Sequence, residues 1–126
     1  MNTPSHIPSH EHFSADDWLE LTADDAGMRR GLHDIFVEEA PKLLARIDDA
    51  LAHGQSAVAA DAAHALRSLV ATVGGRRAFA LAGDFERRAR AGDLSSGRDT
   101  VDALGASLHH LGAALRAFIE REDSPC

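Results

Sequence analysis

From Val101 to Phe118 the apolar residues Val101, Leu104, Leu108, Leu111, Leu115 and Phe118 recur at alternating steps of three and four. Only a helix returns such positions to one side, and a stripe of this width must be buried against other helices. The pattern predicts a helix from about Gly97 to Arg121. Four further stretches of the 126-residue chain read the same way. Ser14 with Asp17 resembles a capping box, with Asp in place of the usual Glu. It opens a short helix carrying Trp18, Leu19 and Leu21, which is expected to act as a lid. Thr22 with Asp25 reads as a second cap, ahead of a long stripe of Leu32, Ile35, Phe36, Leu43, Leu44, Ile47 and Leu51 closed by Gly54. Pro41 lies inside that stripe and predicts a kink or local break, because it lacks the N–H donor and crowds the preceding turn.

A third long helix is expected over Ser56 to Gly74, with Val58, Ala62, Leu66, Leu69, Val70 and Val73 inward. A fourth runs from Arg76 to Ala91, with Phe79, Ala82 and Phe85 inward and Gly92 as its C-terminal cap. No segment reads as strand. Short connections between long helices make successive helices antiparallel neighbours. The expected fold is therefore all-α, an antiparallel up-and-down four-helix bundle with a short N-terminal capping helix, spanning residues 13–122. Residues 1–12, with two prolines and no periodicity, read as a disordered tail or linker, and residues 123–126 as a flexible end. The five stripes can satisfy one another, so a monomer is expected. Met1 and the loose tail favour a free-standing chain over an excised domain.

Charge narrows the function. The formal net charge is −7, which opposes general nucleic-acid binding. Yet residues 67–98 hold seven arginines against three acids, Asp84, Glu86 and Asp93, a local balance of +4. A basic patch on an acidic body steers an acidic partner or a phosphoryl group to one place. No apolar run approaches bilayer length and no secretory leader is present, so a cytoplasmic location is expected. Lone Cys126 has no partner for a disulfide or a zinc pattern.

His64 stands on the wrong side of its helix for a core residue. At about 100° per residue it points away from the inward stripe. Its outward neighbours Ala60, Ser68, Ala71 and Gly75 are all small and are read as the partner-binding surface. An exposed imidazole can serve as a nucleophile that takes and returns a phosphoryl group. It then needs a free ring nitrogen, an acceptor for the other ring N–H, a nearby cation and room for a partner. Arg67 lies one turn on, and Glu86 and Arg90, one turn apart, share a face that a neighbouring helix could present to His64.

Other chemistries have less support. Phosphate-binding loops, the dinucleotide fingerprint, the serine-hydrolase elbow and the zinc-protease motif are missing from the sequence. A di-metal bundle would need two inward Glu-x-x-His pairs, whereas Asp61-Ala-Ala-His64 is the one near match and faces out. His109 and His110, adjacent in sequence, point about 100° apart and read as surface residues. His6, His10 and His12 lie in the N-terminal tail without a fixed carboxylate set. No metal site is expected.

At His64-Ala65-Leu66-Arg67-Ser68-Leu69-Val70-Ala71-Thr72-Val73-Gly74 the chain resembles the histidine-containing phosphotransfer (HPt) domains of bacterial and eukaryotic phosphorelays. Phe36-Val37-Glu38-Glu39-Ala40-Pro41-Lys42-Leu43-Leu44 is similar to the second helix of that family, proline included. Phe85-Glu86-Arg87-Arg88-Ala89-Arg90-Ala91-Gly92-Asp93 is similar to the helix beside its active histidine. The resemblance covers roughly residues 14–121. It implies that His64 accepts the phosphoryl group, that Arg67 stands where a lysine usually supports it, that Glu86 orients the imidazole, and that Arg90 assists with charge. Ser68 replaces a glycine one turn from the histidine, which implies weaker or altered partner choice. The implied partners are response-regulator receiver domains and a hybrid sensor kinase. The implied chain is a phosphohistidine intermediate without ATP-binding or independent catalytic activity, needing no cofactor of its own, with Mg on the receiver. The alternative is a degenerate bundle of the same fold that only docks to a kinase or regulator.

Overall fold

The computed structural model describes residues 9–124 and holds six helices and no strand among them. Two are short, α1 (Ser9–His12) and α2 (Ala15–Leu21). Four are long: α3 (Ala26–Ala52), α4 (Ser56–Ala71), α5 (Arg76–Arg90) and α6 (Gly97–Asp123). The long helices form the up-and-down bundle, with α3 against α4, α4 against α5, α5 against α6, and α6 closing back onto α3. Trp18, Ile47, Leu66, Val70, Leu104, Leu111 and Leu115 lie fully inside.

The α2 lid is fastened at its start. Ser14 caps it by accepting from the Asp17 backbone N–H at 3.2 Å. The reciprocal half of the box is replaced, because the Ser14 N–H donates to the Gly74 carbonyl at 2.9 Å and the Asp17 carboxylate goes to Arg76, at 2.7 and 2.8 Å. Hydrogen bonding to that guanidinium holds the Asp17 carboxyl below its ordinary range. Gly74 has φ +71°, and a Cβ there would stand 2.8 Å from the Ser14 carbonyl oxygen. Only glycine suits this turn.

Several sequence expectations need correction. Asp25 alone caps α3, accepting from the Met28 N–H. Thr22 ends α2 instead, donating to the Trp18 carbonyl at 2.7 Å, since Ala23 and Asp24 adopt positive φ and reverse the chain between them. Pro41 does not break α3, which is continuous through it. The missing donor would have served the carbonyl of Val37, an exposed residue, where water can replace it. Ile35, Val58 and Phe79, assigned inward, are 50%, 44% and 43% exposed. Residues 9–12, assigned to the tail, form the α1 turn against α5 and α6. The rest of that tail, with His6, and the terminal Cys126 lie outside the described residues.

Arg29 was not singled out by the sequence, yet it is 2% exposed. It pairs with Glu122 and Asp24 and donates to the Thr22 hydroxyl at 2.9 Å. A buried cation is tolerable only when so paired, and this one joins the start of α3 to the end of α6.

Candidate functional site

Alanine content decides how α4 sits. Ala59, Ala60, Ala62 and Ala63 are all buried, because α3 and α5 approach this helix from two sides. The buried arc is therefore wider than one stripe, and the exposed arc runs through Asp61, His64, Ala65, Ser68 and Ala71. His64 stands on the α5 shoulder of that arc rather than at its centre. Ala60, expected on the outward surface, is turned away from solvent and is 0% exposed. Gly75 is buried too, with a Cβ there falling 2.6 Å from Leu111 Cδ2. Ser68 and Ala71 are exposed as expected.

The His64 side chain is 52% exposed and its Nδ1 lies 3.0 Å from Glu86 Oε2 on α5. Glu86 is 14% exposed and is approached from both sides by cations. Arg67 Nε stands 3.3 Å from Oε1, and Arg90 Nη2 donates to Oε2 at 3.4 Å. Arg90 in turn donates to Asp61 at 3.0 Å, the chief reason its guanidinium holds its proton more tightly than usual. Arg67 also places Nη2 at 3.2 Å from His64 Nδ1. All described hydrogen bonds to this half-exposed ring are at Nδ1, and none of them engages Nε2. With the proton on Nδ1 and bonded to Glu86, Nε2 carries a free lone pair.

The four residues expected to act together, His64, Arg67, Glu86 and Arg90, are thus in one network. Asp61, one turn before His64, is a member the sequence reading considered only as a metal ligand. Its i−3 spacing from His64 was the available signal. Phe79 was misplaced: its ring lies 5.6 Å below the Arg67 guanidinium. Two open grooves meet at Phe79. One of about 600 Å³ follows α5 past Arg67, Phe79, Gly83, Arg87 and Arg90. The other, about 350 Å³, lies between α2 and the start of α5, with Leu21, Ala71, Gly75 and Phe79 in its lining. Exposed Leu21 and Phe79 give that second groove an apolar rim.

Elsewhere, His109 and His110 are exposed, and no group of three or more His, Cys, Asp or Glu residues among those described is arranged to hold a metal ion. No described helix is long and apolar enough to cross a membrane. Residues 31–120 match the Hpt domain, a span that includes all five network residues. No curated protein and no solved structure matches the chain.

Proposed function

The chain belongs to the Hpt domain family, whose business is histidine phosphotransfer within phosphorelays, and from that premise we propose that His64 is the phosphoryl acceptor of a carrier working between receiver domains. The observation that carries this reading is the 3.0 Å contact of Glu86 with His64 Nδ1 on an exposed ring. It leaves Nε2 as the nucleophile. The Nε2 lone pair attacks the phosphorus of a receiver's aspartyl phosphate. The N–P bond forms as the P–O bond breaks, and the aspartate carboxylate leaves with the electron pair. Nδ1 keeps its proton throughout. The ring gains positive charge, and the Glu86 carboxylate stabilises that charge where it develops. No base need remove a proton, and the reverse sequence hands the group to a second receiver.

The surroundings suit such a partner. Arg67, Arg87 and Arg90 offer positive charge to an acidic receiver pocket, while Ser68 and Ala71 leave room above the ring. Mg belongs to the receiver in this scheme, a hybrid sensor kinase supplies the relay, and the carrier works as a monomer in the cytoplasm.

Incubation with a phosphorylated receiver domain tests the assignment. The expected result is an acid-labile, base-stable label on the chain that disappears in His64→Gln. Label persisting in that variant would remove His64 from the role. Binding of the receiver with no label on the wild type would instead make the chain a docking module.

A further inference from the structure

His64 Nδ1 is contacted by an acceptor and a donor at once, Glu86 Oε2 at 3.0 Å and Arg67 Nη2 at 3.2 Å. A neutral imidazole cannot satisfy both, because Nδ1 carries either a proton or a lone pair. With the proton on Nδ1, the bond to Glu86 forms and Nε2 is nucleophilic. With the lone pair there, Arg67 donates, Nε2 carries the proton, and the ring cannot attack. The two neighbours therefore pull the ring toward opposite tautomers.

Arg67 is held in this competing position by α5. Phe79, Gly83 and Glu86 succeed one another at steps of four and three, so they form one stripe under the arginine. The guanidinium lies over Phe79 at 5.6 Å, and Nε faces Glu86 Oε1 at 3.3 Å. Between them a Cβ on Gly83 would already touch Arg67 Cδ at 3.4 Å. A larger side chain at 83 would occupy the space the arginine methylenes use. Arg90 does not compete in the same way, since its stronger bond is to Asp61.

Resting on His64 as the acceptor, we propose that Arg67, seated in the Phe79–Gly83–Glu86 trough, is a tautomer brake that an anionic phosphoryl donor releases. Gly83 is the positioning residue for the brake. The donor arrives on the Nε2 side with its negative charge. Arg67 is one-third exposed on a flexible stem, and Coulomb attraction draws it off Nδ1 toward the phosphoryl oxygens. The ring loses its proton from Nε2 to water and takes one from water at Nδ1, where it stays and the Glu86 carboxylate accepts the N–H hydrogen bond. No net proton is consumed. Nε2 then attacks as described, so the approach of substrate and the arming of the nucleophile are coupled through one side chain.

The test is the ring ¹⁵N spectrum of the full chain at about pH 8.5, where an ordinary imidazole is neutral. The ratio of Nδ1–H to Nε2–H tautomer is expected to rise about fivefold in Arg67→Met and in Gly83→Leu, and less in Phe79→Ala. It should fall in Glu86→Ala. An unchanged or lowered ratio in Arg67→Met overturns the brake, and that variant decides the matter if Gly83→Leu fails to fold. In a second arm, phosphoramidate serves as a small donor and ³¹P spectra follow the N–P product. Gly83→Leu should be phosphorylated about threefold faster than wild type, and a rate equal to or below wild type overturns the coupling to attack. If the tautomer ratio shifts but His64 is never phosphorylated, the carrier reading falls and the brake stands. Phosphorylation with an unmoved ratio has the opposite meaning.

Discussion

The α4–α5 and α3–α6 pairs are both antiparallel helix pairs of one bundle, yet they meet differently. The first pair is rich in small residues, with Ala59, Ala60, Ala62 and Ala63 on α4 and Ala78, Ala82 and Ala89 on α5 all buried. Larger residues such as Phe36, Ile47, Leu104 and Leu108 occupy the second. Small residues let two backbones approach, so rim side chains from both helices come within hydrogen-bond distance. The result is the continuous chain Asp61–Arg90–Glu86–His64–Arg67. Close backbone approach is less extensive between α3 and α6, where Leu44 and Phe36 of α3 lie over Gly105 and Gly112 of α6. Their edge shows apolar grooves lined by Val37, Pro41, Leu44 and Gly105, with Arg98 of α6 pairing across to Asp48 of α3 and within its own helix to Asp102. Closeness of packing, more than abundance of charge, distinguishes the face that carries His64.

The largest effect should come from the large-residue contact. Leu108→Ala removes a buried side chain that lies beside Phe36 of α3 and is expected to cost about 2–5 kcal/mol, read by denaturant unfolding, while folded protein retains phosphotransfer. Ala63→Leu attacks the other contact. Overpacking there should cost about 1–3 kcal/mol and, by separating α4 from α5, remove phosphotransfer even from the folded fraction. Equal activity per folded molecule in the two variants would erase the distinction between the pairs.

A smaller effect concerns α1, which bridges α5 and α6. His12 stacks on His110 at 4.6 Å between ring centroids. Desolvation first, then His110 and Arg77, push its pKa below the ordinary 6.5, against an opposing pull from Glu11. A base so depressed takes up its proton more readily when released. Its contribution is therefore complete above about pH 6.5 and is lost as pH falls below that value. Protection of the α1 amides, taken relative to the intrinsic exchange rate at each pH, should fall as pH drops below about 6.5, and a His12→Gln variant should lose that dependence. The smallest effect is expected from Arg98→Ala, where solvent screens the exposed pairs and phosphotransfer should be unchanged. A larger loss in thermal melting would mean that the α3–α6 rim is also a coupled network.

Much of the fold was legible because its signals are local. The stripes of three and four, the Ser14 cap and the helix-ending Gly54, Gly74 and Gly92 all depend on residues within a turn or two, and each of these three glycines has positive φ in the structure. The pairing of His64 with Glu86 was also legible, through helical phase and the likeness of two segments to one family. Errors came where a long-range neighbour overrode local pattern. Thr22 is capable of capping α3 but is taken by Trp18 and Arg29. Val58, Ile35 and Phe79 satisfy an apolar stripe but meet no covering helix.

By itself, then, the sequence determined the helices, their order, their apolar phase and the exposure of the His64 imidazole, because hydrophobic spacing and capping act within one segment. Tertiary structure alone decided which arc of each helix is covered. It buried Ala60 and Gly75, turned His64 to the α5 shoulder, seated Arg67 over Gly83, and set a donor and an acceptor on the same ring nitrogen. Those outcomes depend on how closely two helices distant in sequence approach, a distance set by the side chains between them and legible in neither helix alone.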